Sequence, residues 1–156
     1  MANLKDKDIK TMSLQDKYLI SQEDRKLLEG LLLTGYIEKE YRNGPAIITF
    51  REPGKESIRV WFDNLKDSID NERTSQFVFL DRLNEIQLAL YLLKYEVNIN
   101  GKNFKLDYTD NFENIDKKLI EIKKLSPAIT NMLVVYLRKF QDLLLLLEDA
   151  NKLSNF

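Results

Sequence analysis

A mainly helical α+β fold, with about four helices and two β-hairpins in a single domain, is predicted by three features of this chain. Long segments carry apolar residues at steps of three and four; two shorter ones alternate about turn dipeptides; and no compositional break divides the 156 residues. A chain of this length buries roughly two-thirds of its unfolded surface in one core, so no covalent staple is required. The expected layout is a polar arm over residues 1–20 and one helical domain over 21–156, with hairpins at about 46–62 and 95–106.

Residues 1–20, MANLKDKDIKTMSLQDKYLI, mix Lys with Asp and hold few bulky apolar residues before Leu14, Tyr18 and Leu19. They read as an arm that orders on a partner and lack the apolar stretch of a secretion signal. In SQED, Ser21 is placed to cap a helix and Asp24 follows three residues later, as in a capping box. That helix is expected to reach about Tyr41 and stop at Asn43-Gly44-Pro45. Gly30 and Gly35 within it each cost about 1 kcal/mol relative to Ala, which close packing or a break after Thr34 would explain.

AIITFREPGKESIRVWF surrounds Pro53-Gly54, a pair suited to a type II turn, and predicts the first hairpin. Alternation assigns Ile48, Phe50, Ile58, Val60 and Phe62 to the core face and Ile47, Thr49, Arg51, Ser57, Arg59 and Trp61 to the other. A polar stretch leads to a helix of about 20 residues through Phe79, Leu83, Ile86, Leu90 and Leu93. Asn100-Gly101 then predicts a two-residue type I′ hairpin, pairing Ile99 with Lys102 and placing Tyr95, Val97, Ile99, Phe104 and Leu106 on one face. Asp110 and Glu113 start a short helix through Phe112, Ile115, Leu119 and Ile122, and Ser126-Pro127 starts the last one, to about Asn151.

The last helix raises its own question, because Leu143–Leu147 are five consecutive leucines. Ile129, Leu133, Tyr136, Phe140, Leu143 and Leu147 form one seam, and Leu137, Leu144, Leu145 and Leu146 lie off it. A helix apolar all round is covered on more than one side, either by the chain's own elements or by a second chain. The run is far shorter than the ~20 residues that span a bilayer, so a membrane is not the cover.

Chemistry is narrowly bounded. Without cysteine there is no disulfide or thiolate, and without histidine the usual neutral-pH base and the commonest zinc ligand are gone. PGKES lacks the Walker spacing, and Asp63, Asp67, Asp70 and Glu72 lack the central Gly and alternating ligands of a calcium loop. No catalytic, metal or cofactor residue is therefore assigned, and none of these is expected. Lys117, Lys118, Lys123 and Lys124 read as a solvated face with helix-end charges. Net charge of −1 favours a protein over a nucleic acid as the partner of the face bearing Arg59 and Trp61. Partner-binding candidates are Trp61, Arg59, Leu145, Leu146 and the terminal Phe156.

GLLLTGYIEKE, the IITFREP hairpin, SQFVFLDRLNEIQLALYLL with its NINGKNF hairpin, LSPAITNMLVVYLRKFQDLLLLL and the terminal LSNF follow one another after residue 20. This order resembles small tail proteins of contractile-tailed bacteriophages, including tail assembly chaperones and hub-assembly proteins of T4-type baseplates. The resemblance implies a non-enzymatic protein that binds tail or baseplate components or further copies of itself, as a virion part or an assembly factor, in the virion or the host cytoplasm. The alternative from another class is a cytoplasmic regulatory or inhibitory adaptor.

Overall fold

The computed structural model describes residues 22–71 and 76–148. The expected arm, the Ser21 cap and Phe156 lie outside them. The described elements are α1 (Gln22–Thr34), β1 (Glu38–Asn43), β2 (Ala46–Arg51), α2 (Lys55–Asn71), α3 (Gln76–Tyr91), β3 (Leu92–Ile99), β4 (Lys102–Asp107), α4 (Ile115–Lys123) and α5 (Pro127–Leu147). The mainly helical α+β class holds, with two hairpins and five helices among the described residues; the hairpin expected at 95–106 is present, and the other lies at 38–51 rather than 46–62. The chain divides into two compact units, Glu38–Gln141 and Met1–Ile37 with Asp142–Phe156.

Within Glu38–Gln141 the strands form an antiparallel sheet in the order β1-β2-β3-β4. The β3–β4 hairpin has the expected register: Ile99 faces Lys102, and Asn100 and Gly101 take φ of 51° and 81°, as a type I′ turn requires. The other hairpin differs from expectation. It joins β1 to β2 with Asn43 opposite Ala46, Gly44 at φ 57° and Pro45 next, so the Asn43-Gly44-Pro45 group turns a hairpin rather than ending a helix.

Two corrections follow from local chemistry. The first helix stops at Thr34 because Gly35 adopts φ 84° and its N–H closes the last turn on the Leu31 carbonyl at 2.7 Å. From there Lys39 and Tyr41 turn inward while Glu38, Glu40 and Arg42 stay exposed, a strand's alternation. The second correction concerns residues 55–62, which are the start of α2 and not a returning strand. The Ile58 N–H bonds the Gly54 carbonyl at 3.2 Å, and Glu56 places a negative charge in the first turn. Ser57, Trp61 and Leu65, four residues apart, form the less exposed side, leaving Ile58, Val60 and Phe62 at 38%, 36% and 57% exposure instead of in a core.

The core lies on one sheet face, where register aligns Tyr41, Ile48, Tyr95 and Leu106 across all four strands. Phe50 and α5 close over it. The Phe140 ring stacks on Phe50 at 5.7 Å and meets Tyr91 at 6.1 Å, while Tyr136 lies 5.7 Å from Tyr41. Of the seam expected for the last helix, Leu133 and Phe140 are fully buried here and Ile129 and Tyr136 half-buried, while Leu137, expected off the seam, is fully buried with them. The opposite face carries the row Arg42, Ile47, Glu96 and Lys105.

In the other unit, Leu28 and Ile37 are buried and the Thr34 hydroxyl donates to the Gly30 carbonyl at 2.6 Å. The five leucines split by helical phase. Leu144 and Leu147 are buried, Leu143 is half-buried, and Leu145 and Leu146 remain 69% and 56% exposed.

Candidate partner surfaces and a buried lysine

The apolar sheet face does not end where its cover ends. Tyr95 and Leu106 are buried, but the same row of alternate residues runs on through Val97 to Ile99 and Phe104, which are about half exposed. The register places Phe104 opposite Val97, and its ring meets Tyr95 edge-on at 6.0 Å. The hairpin tip thus carries a shallow apolar recess lined by Val97, Ile99 and Phe104 and rimmed by Asn100, Lys102 and Asn103. Strand β4 lies at the edge of the sheet, so alternate backbone groups along it have no strand partner among the described residues. Ile99 and Phe104 were assigned to the sheet face by sequence; their exposure depends on how far the covering helices reach, which alternation alone does not encode.

Arg59 and Trp61 sit on α2, not on a hairpin face. Arg59 points outward and pairs with Glu56 one turn back. Trp61 is half-buried, packs edge-on against Phe62 at 4.3 Å, and lines a small recess with Ile58, Gln87, Leu90, Tyr91 and Gln141. Its indole N–H is buried with no hydrogen-bond acceptor among the described residues. Arg138 organises the neighbouring polar groups, donating to Gln87, Gln141 and Asn84 at 2.5, 2.9 and 3.0 Å. The structure therefore separates Trp61 from Arg59 by helical phase, and Leu145 and Leu146 belong to a different unit.

One charged group departs altogether from the solvated lysine face expected of α4. Lys118 is fully buried. Its ammonium donates to the Leu92 carbonyl at 2.8 Å and sits 3.7 Å from the Phe112 ring centroid and 5.4 Å from that of Tyr108. Burial pushes it down to about 7, with Glu113 opposing and Arg51 adding to the shift. Glu113 is itself engaged, accepting a hydrogen bond from the buried Ser57 hydroxyl of α2. Arg51 lies over Phe112 at 4.6 Å. Burial, then the nearby Glu121, hold the Tyr108 phenol well above its ordinary range, and the Tyr108 hydroxyl and Glu121 Oε1 lack partners among the described residues. A sequence signal existed: Ile115, Lys118 and Ile122 share one helical face, so Lys118 stands at a core position of that face.

No group of three or more His, Cys, Asp or Glu side chains suited to a metal occurs among the described residues, and none of their helices is long and apolar enough to cross a membrane. Comparison with protein-family models, curated proteins and solved structures gave no match.

Proposed function

We propose that this protein is a non-enzymatic interaction component of a phage-like contractile tail or baseplate, with a structural or chaperone-like assembly role. The observation that carries the binding reading is the uncovered end of the sheet face, where Ile99 and Phe104 remain about half exposed although Tyr95 and Leu106 beside them are buried. An exposed apolar patch with a polar rim is the signature of a protein contact. The exposed Leu145 and Leu146 add a second apolar surface. The tail setting rests on the sequence resemblance, and the absence of histidine and cysteine from the chain accords with a binding role.

Co-expression of the full chain with each product encoded beside its gene, followed by size-exclusion chromatography, tests the proposal. A tail or baseplate product should co-elute, and Ile99→Ser with Phe104→Ser should weaken that complex by about tenfold or more while the protein stays folded. If no tail or baseplate product binds, the tail assignment fails. If the double variant binds a partner undiminished, the hairpin tip is not the binding surface.

A further inference from the structure

We propose that docking of α4 onto the sheet is proton-linked through Lys118, so that raising pH above neutral tightens it and acidification toward neutral loosens it. The geometry makes Lys118 the connecting pin. Its carbonyl acceptor, Leu92, is the first residue of β3; Phe112 and Tyr108 close over it from the segment between β4 and α4; and Ser57 of α2 holds Glu113 at the start of that helix. The ammonium nevertheless has no ion pair among the described residues. Its charge is met by a single carbonyl dipole and two ring faces, which do not replace the hydration of a fully buried cation.

The charged and titratable groups around the pin come from several elements. Arg51 approaches from β2 and opposes the ammonium, Glu113 supports it, and Tyr108 and Glu121 stand nearby, with Glu121 on α4 itself. Helix α3 packs along α4, and its Glu85 interacts with Lys123 rather than Lys118. Histidine, the usual side chain of a neutral-range switch, is absent from the chain.

The sign follows from linkage. Lys118 titrates at about 7 when docked and at its ordinary 10.5 when α4 opens to water. Between those values the open form binds the extra proton, so stability of the docked form rises with pH across that window; below about 7 both forms are charged and the dependence levels off. For one such group, the opening constant falls about fiftyfold from pH 7 to pH 9.

Hydrogen exchange of the α4 amides in the full chain, corrected for intrinsic exchange, tests this across pH 7–9. Wild type should gain protection by about tenfold or more and Lys118→Met should show little or none; a nitrogen-detected titration should place the Lys118 ammonium near neutrality. Equal pH slopes in both proteins, or a wild-type Lys118 titrating above 10, would overturn the proposal. If Lys118→Met does not fold, Lys118→Arg keeps a charge that cannot titrate in this window: a flat profile supports the linkage, and a wild-type slope refutes it.

Discussion

Trp61 shows how one side chain carries two opposed contributions. Its ring forms one wall of the recess between α2, α3 and Gln141 of α5, while its buried indole N–H finds no acceptor among the described residues. Transferring a donor from water without a new hydrogen bond costs about 1–3 kcal/mol, comparable to what part of the ring's burial contributes. Trp61→Phe keeps most of the ring and removes the stranded donor, so its stability should lie within about 1 kcal/mol of wild type or above it. Trp61→Ala should instead lose about 2–4 kcal/mol by removing the ring's contacts and enlarging the recess it lines. Urea unfolding followed by circular dichroism distinguishes these outcomes, and equal losses in both variants would mean that the N–H is satisfied in solution.

At the level of elements, phase within α5 decides which leucines matter. Leu144 and Leu147 are buried and Leu145 and Leu146 exposed, although all four lie in one unbroken apolar run. Replacing Leu145 and Leu146 by Gln should leave stability within about 0.5–1 kcal/mol of wild type, since glutamine is a good helix former and little apolar area is lost. The same change at Leu144 and Leu147 should cost more than about 3 kcal/mol or unfold the protein. Circular dichroism thermal melts of the two pairs check the order, and a comparable loss in both would mean that Leu145 and Leu146 are covered in solution. The run itself hid this division, because five identical residues carry no phase; neighbours such as Leu133, Leu137 and Phe140 supply it. The Asn100-Gly101 hairpin was legible for the opposite reason, since its two positive φ angles demand those residue types. IRVWF misled because β-branched and aromatic residues suit a strand, yet Ser57, Trp61 and Leu65 fit a helix once Pro53-Gly54 is taken as its approach rather than a hairpin turn. Lys118 was misread for a similar reason: residue type suggested solvent, while its place between Ile115 and Ile122 specified the interior.

For the molecule as a whole, every strand among the described residues and the aromatic residues that close over the sheet fall within Glu38–Gln141. A chain restricted to residues 38–141 should therefore keep its sheet and unfold cooperatively; a gradual urea transition would mean that the sheet depends on residues outside that span. The connectivity inside it has a kinetic consequence. Two of the three strand pairings close across two-residue turns, but Phe50 of β2 meets Leu92 of β3 only after α2 and α3 have intervened. Hairpins assemble in about 1–10 μs, whereas joining distant strands must first overcome a long loop closure. If the two hairpins close before β2 meets β3, as those timescales imply, each ribbon presents a bare inner edge until they join, β2 on one and β3 on the other. Those edges are complementary to each other and equally to those of neighbouring molecules, so crowding at that stage favours exchange of ribbons between chains over closure within one.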